Sequence, residues 1–262
     1  MHLLIDIGNS TVVLAIANNK GEIFNSWHFK TRKEETPEYY KREILVGMNV
    51  HGVTEEDITT SAITSVVPEI NDAIATAVKE AVGIEPSFLS LYDAARFLTI
   101  AVEEPLQLGH DRIADAVGAA KCYGVPVVVF DFGTATTVGV IDEHKVFLGG
   151  MIIPGVKTSL TALSSRASQL TDIELYPPTS IIGRNTTESM QSGILYGTAA
   201  MVDGIISRIE KEQVKKFKVV ATGGMAKEIL PHCQHDIICD DMLQFKGLFH
   251  AVVEKKIIDV IE

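Results

Sequence analysis

Asp6 and Asp131 each close an apolar run, and each is followed two residues on by a glycine, Gly8 and Gly133. Around the first, the chain reads Leu-Ile-Asp6-Ile-Gly8-Asn9-Ser10-Thr11-Val-Val-Leu; around the second, Val-Phe-Asp131-Phe-Gly133-Thr134-Ala-Thr136-Thr137-Val-Gly-Val. Each phrase is an apolar strand, a tight turn of glycine with hydroxyl or amide residues, and an apolar return strand. Such a hairpin turn can hold phosphate. Glycine lets the backbone approach an anion with no Cβ in the way, and turn N–H groups and hydroxyls then donate to it. A carboxylate repels phosphate, so each Asp is expected to act through a bound cation such as Mg²⁺. One Asp-x-Gly at a strand end reads as an ordinary turn. Two copies half a chain apart suggest two related lobes facing each other across a nucleotide.

The elements around these turns repeat. Residues 3–7, 11–17 and 22–29 read as three strands, the second turn being Asn18-Asn19-Lys20-Gly21. A polar helix over 34–50, a buried strand over 61–68, a helix over 69–82 and a strand near 86–89 follow. The second half starts with a helix over 111–123. Strands over 125–131, 137–142 and 145–149 come next, then an irregular stretch and a long helix over 187–212. A strand over 218–221 runs into Thr222-Gly223-Gly224 and a further helix, and the apolar segment 245–260 reads as helical. The expected architecture is α/β. It has two duplicated lobes, 1–110 and 111–262, each a mixed five-stranded sheet flanked by helices, with the last helix packing back on the first lobe.

Composition sets bounds. The 262 residues are 46% hydrophobic and 22% charged, enough for a substantial core and unlike a disordered chain. A formal charge of −11 argues against nucleic acid as a partner. Cys122, Cys233 and Cys239 show no metal or disulfide spacing and fit a reducing cytoplasm, with Cys122 expected to be buried in its helix. No apolar run is long enough to span a membrane, and the chain enters its first strand at once, so no leader is expected.

The pair DIGNS and DFGTATT, with Gly109-His110-Asp111-Arg112 and Gly149-Gly150-Met-Ile-Ile-Pro154-Gly155, closely resembles type III pantothenate kinase. That family belongs to the superfamily of acetate kinase, sugar kinases, Hsp70 and actin, whose lobes are ribonuclease H-like. The resemblance covers essentially the whole chain. It implies a cytoplasmic enzyme that uses ATP to phosphorylate pantothenate to 4′-phosphopantothenate, the first step of coenzyme A synthesis, and acts as a homodimer.

The resemblance also assigns roles. Asp6 would hold Mg²⁺, with Gly8, Asn9, Ser10 and Thr11 cradling the β- and γ-phosphates; Ser10 stands where the family commonly has Thr. Thr134, beside Gly133, would contact ATP, and Asp131 would bind a monovalent cation, K⁺ or NH₄⁺. Gly223 and Gly224 would flank the adenosine. Asp111 would be the general base that takes the substrate hydroxyl proton, and Arg112 the fork for the substrate carboxylate. Gly109 and His110 would flank the substrate, with His110 replacing a small residue and having no catalytic role assigned. Thr186 would reach pantothenate from the neighbouring protomer, and Val102 stands where the family often has an aromatic.

Several of these residues also have plainer readings. On position alone, Asp111 is a helix cap with Arg112 behind it. Gly183-Arg184-Asn185-Thr186 reads as a helix start with Glu188 in the first turn, and a strand–Gly-Gly–helix junction is common. His2, His232, His235 and His250 lack metal spacing, Lys215-Lys216-Phe-Lys218 reads as solvated surface, and Trp27 packs the first hairpin. Two rival functions remain: a kinase of another small hydroxylated metabolite, and a non-catalytic nucleotide-binding regulator on the same scaffold.

Overall fold

Strand β1 (His2–Ile7) is buried on both faces except at Asp6, and β2 (Thr11–Ala17) returns antiparallel beside it, with Asp6 opposite Val13. The computed structural model describes residues 1–166 and 173–254. Its two compact units are 1–124 with 145–147 and the chain from Met242 onward, and 125–144 with 148–241.

In the first unit, β3 (Ile23–Lys30) runs antiparallel to β2, and β4 (Thr60–Ser65) parallel to β1. With β5 (Ser87–Phe88) the order is β3-β2-β1-β4-β5. The β2–β3 turn forms because Asn18 Oδ1 accepts from the N–H of Lys20 and Glu22, while Gly21 takes a φ of +80°. Helix α1 (Pro37–Val50) starts on a proline, whose missing N–H costs nothing there. Helix α2 (Asn71–Val82) buries Ile74, Ala77, Val78, Ala81 and Val82, a 3.6-residue stripe, and stops at Gly83 in the left-handed region. Both helices contribute to a core with Leu3, Ile5, Leu14 and Ile63, all completely buried. Side chains of this size stabilise by about 1.5–3 kcal/mol each when removed from water. Trp27 packs over Gly47, as expected of a residue on the first hairpin.

The second unit repeats the design. Strand β7 (Val127–Phe132) has the same burial string as β1, and β8 (Ala135–Ile141) the same as β2. Asp131 stands opposite Thr137 as Asp6 stands opposite Val13. Strands β9 (Val146–Pro154), β10 (Lys218–Thr222) and β11 (Ile238–Cys239) complete the order β9-β8-β7-β10-β11, with β10 parallel to β7. The duplication expected from the two phrases is therefore present strand for strand. The second sheet gains a sixth strand because β6 (Thr99–Ile100) pairs with Val146 and Phe147, residues of the first unit.

Other differences have identifiable causes. The stretch after Pro154, expected to be irregular, holds helix α5 (Val156–Arg166). Its Ser and Thr residues favour caps and turns and hide the helical pattern. A short helix, α3 (Leu91–Ala94), is closed by a capping box between Ser90 and Asp93. Helix α6 (Thr186–Gln213) is the long helix expected, and α7 (Ala226–Ile229) is a single turn. Helix α4 (His110–Tyr123), placed by the sequence reading at the start of the second lobe, lies in the first unit. There it packs on α8 (Leu243–Leu248), which continues as a π-helical turn over Phe249–Val253; the rest of the expected 245–260 helix lies outside the described residues beyond 254.

Cys122 is exposed, not buried as its apolar surroundings suggested. The buried stretch of α4 runs from Ile113 to Ala119 and ends before the last turn. Cys233 is the shielded thiol: burial and nearby Asp203 push its pKa up to about 11. Such a thiol holds about 10²-fold less thiolate at neutral pH than an unperturbed one. Iodoacetamide at pH 8, followed by peptide mass spectrometry, should modify Cys122 well before Cys233. Equal rates would contradict this difference.

Candidate active site

The first Asp-x-Gly turn is built wholly within the first unit. Residues 8–11 separate the paired Ile7 and Val12. The Gly8 N–H donates to Thr11 O at 3.1 Å, closing the turn. Thr31, just past β3, clamps it from the side: its hydroxyl donates to Gly8 O at 2.6 Å and its N–H to Ser10 O at 3.1 Å. A Cβ on Gly8 would sit 3.0 Å from Thr11 O, a tight fit against backbone. Asn9 and Ser10 are exposed, while Asp6 is half-buried. Gln244 Nε2 donates to Asp6 Oδ1 at 3.0 Å. Neither Thr31 nor Gln244 carries a sequence signal that would have marked it.

The second turn, in the second unit, is one residue shorter, with residues 133–135 between the paired Phe132 and Thr136. Thr134 is exposed at its tip. Gly155, buried at the head of α5, packs under the carbonyls of Gly133 and Thr134, and Thr158 donates its hydroxyl to Thr134 O at 2.7 Å. Of the Gly149-Gly150 and Pro154-Gly155 motif, Gly155 is thus the residue that packs against the turn. Gly223 borders the same place with a φ of +91°; a Cβ there would overlap Asp131 Oδ1 and lie 2.5 Å from Phe132 N. Gly224 faces open space. Asp131, Gly133, Thr134 and Gly223 are therefore brought together, and only Gly223 is required by close packing.

Gly109-His110-Asp111-Arg112 opens α4, with Gly109 at the N-cap. Asp111 Oδ1 accepts from the Arg112 N–H at 2.7 Å, so the capping role holds in part. A Cβ on Gly109 would collide with that carboxylate oxygen. Burial pushes the Arg112 guanidinium pKa down, while the charges of Asp111 and Asp115 push it up, the net being downward. Arg112 also lies over the Phe147 ring, 5.7 Å from its centroid. Asp115, 4% exposed, and Phe147, completely buried, were not singled out from sequence. Val102 is half-buried. Thr186 is exposed at the first residue of α6, in the second unit, and the side-chain cap there comes from Asn185, which accepts from the Glu188 N–H at 2.9 Å.

The histidines keep structural roles where contacts define them. His2 is buried between Thr60 Oγ1 and Asn19 Oδ1, and burial lowers its pKa. The His235 ring pairs with Asp203 at 2.8 Å. Lys216 and Lys218 are exposed as expected, while Phe217 within that run is buried. Among the described residues no helix is long and apolar enough to cross a membrane. No group of three or more His, Cys, Asp or Glu among them could hold a metal ion. A single carboxylate such as Asp6, half-buried beside its glycine turn, suits a hard cation that fills its shell with phosphate oxygens and water, as Mg²⁺ does. Asp131, half-buried with Gly223 packed against its carboxylate, likewise offers a single carboxylate to a cation.

Two sheets of the same strand order, each with an Asp at the end of its first strand and a glycine turn after it, make the duplicated lobes of an actin-like ATPase fold. Solved structures agree. The activator of 2-hydroxyisocaproyl-CoA dehydratase from Clostridium difficile, with bound ADPNP, is 15% identical with a TM-score of 0.57, over 100% of this chain and 98% of that one. A Campylobacter jejuni protein described as a candidate Baf family transcriptional activator is 20% identical with a TM-score of 0.59, over 97% and 98%. Component A of (R)-2-hydroxyglutaryl-CoA dehydratase from Acidaminococcus fermentans is 15% identical with a TM-score of 0.56, over 97% and 98%. At these identities the likeness shows the fold. The model of the type III pantothenate kinase family matches residues 2–208, and the chain belongs to that family. It is a kinase that uses ATP.

Proposed function

We propose that this kinase transfers the γ-phosphoryl group of ATP to the 4′-hydroxyl of pantothenate. The observation that carries the proposal is the pairing of Asp111 and Arg112 on the first turn of α4, inside the family-matched region. One offers a carboxylate to a hydroxyl proton, the other a guanidinium to a carboxylate. Pantothenate has both groups.

In this mechanism the 4′-oxygen bonds to the γ-phosphorus as the bond to the β,γ-bridging oxygen breaks, and ADP leaves. Asp111 accepts the hydroxyl proton as attack proceeds. Arg112 anchors the substrate carboxylate, with Gly109, His110 and Val102 lining the approach. The turn over Gly8, Asn9, Ser10 and Thr11, and Thr134 beside Gly133, donate hydrogen bonds to phosphate oxygens. Gly224, where a Cβ would meet nothing within 4 Å, leaves room for the nucleoside beside Gly223. Asp6 would hold Mg²⁺ and Asp131 a monovalent cation, which when bound neutralise charge on the phosphates. Thr186 serves the site of the partner protomer in a homodimer, which suits its exposure.

A coupled ATP-turnover assay with pantothenate and Mg²⁺, run in K⁺ and again in Na⁺, tests the proposal. Pantothenate-dependent turnover that requires K⁺ supports the substrate and the role of Asp131 together. Turnover equal in both salts would remove the cation role, and turnover only with another acceptor would replace the substrate.

A further inference from the structure

We infer that Gln244 is a positioning residue for Asp6, and that α8 links this carboxylate to the helix carrying Asp111. This rests on Asp6 being the Mg²⁺-side carboxylate of the nucleotide site. Gln244 lies outside the family-matched residues 2–208 and 238 positions from its partner.

The geometry has three parts. Gln244 is half-buried on α8 between Leu243 and Phe245, both buried, so its direction is set by their packing. Its Nε2 reaches Asp6 Oδ1 at 3.0 Å. An ionised carboxylate only accepts, so the amide must present its NH₂. Three residues on, Gly247 is pressed against the Ala114 carbonyl of α4, and Gly118 of α4 against the Leu243 carbonyl. A Cβ at either glycine would overlap backbone, which locks α8 against α4.

The chemistry favours an amide at this position. Lysine would compete with a cation for Asp6, and glutamate would repel both Asp6 and phosphate. Glutamine orients one carboxylate oxygen and leaves the charge of the site unchanged. Groups that orient metal ligands in this way typically change metal affinity or activity 10–100-fold when removed.

The test is calorimetric titration of a non-hydrolysable ATP analogue into the full chain, with Mg²⁺ and again with EDTA, using no acceptor. The proteins are the wild type, Gln244→Ala, the near-isosteric Gln244→Glu, and Asp6→Asn, each checked by thermal unfolding. The expected result is that Gln244→Ala weakens Mg²⁺-dependent binding about 10-fold or more, with Gln244→Glu at least as severe. Binding in EDTA stays at the wild-type value for Gln244→Ala. If Asp6→Asn loses the Mg²⁺ dependence and both folded Gln244 variants keep it, the inference is overturned and the assignment of Asp6 stands. If Asp6→Asn also keeps it, that assignment fails and the inference falls with it. Equal weakening by Gln244→Ala with and without Mg²⁺ would mark Gln244 as merely structural and overturn its positioning role.

Discussion

Asp111→Asn should lower pantothenate-dependent turnover about 10²–10⁴-fold, the usual contribution of a positioned general base, and leave ATP affinity nearly unchanged. The substitution suits this site. Asp111 Oδ1 accepts the Arg112 N–H at 2.7 Å, and an asparagine oxygen can accept the same bond. The start of α4 therefore survives, and the loss of a negative charge near a helix N-terminus costs only about 0.3–1 kcal/mol. What disappears is the ability to take a proton. Steady-state turnover and calorimetric ATP binding on the same preparation separate the two effects. A variant that turns over at the wild-type rate would remove Asp111 as the base and leave it as a cap.

The largest expected change in stability comes from Gly247→Val. The Cβ alone would overlap the Ala114 carbonyl and come within 2.9 Å of Gly118 N, and both are backbone atoms in α4. Neither can rotate away, so α8 must shift off α4. Overpacking of this kind costs about 1–3 kcal/mol, and more when backbone is displaced. At the upper end this lowers the melting temperature by about 6–12 °C for a domain of this size. Gly193→Ala is the contrasting case. On exposed α6 surface, a Cβ there meets nothing within 4 Å, so the alanine should stabilise by about 0.4–1 kcal/mol. Differential scanning calorimetry of both variants checks the pair. A Gly247→Val protein melting with the wild type would mean that α4 and α8 are not locked as described.

These two cases also show what was legible in the sequence and what was not. The hairpins around Asp6 and Asp131 could be read because their signals are local: continuous apolar runs, a glycine in the turn, and the same phrase again in the second half. The capping of α6 by Asn185 was legible for the same reason. Gln244 and Gly247 were not. Their partners are Asp6 and Ala114, far along the chain, and a half-buried glutamine beside leucine leaves no periodic trace. Thr31 clamps the first turn through a hydroxyl that looks like any loop threonine. Cys122 misled because apolar neighbours in sequence do not say which side of the last helical turn meets solvent. Helix α4 was read with the wrong neighbours because its partner, α8, follows the whole second unit in sequence.

The site assignments divide in the same way. The turns carry their own physical rationale for holding phosphate. The roles of Asp111, Arg112 and Thr186 came from family resemblance, because a carboxylate on a first helical turn is equally a cap. Structure adds the surroundings that such roles need: the Arg112 N–H steadying Asp111, the Phe147 ring under Arg112, and buried Asp115 supporting its charge.

The most direct measurement is the mass of pantothenate after incubation with the purified protein, Mg-ATP and K⁺. The account predicts a product heavier by one phosphoryl group, formed in step with ADP and absent with Asp111→Asn. Unchanged pantothenate, with the protein folded and ATP bound, would contradict it.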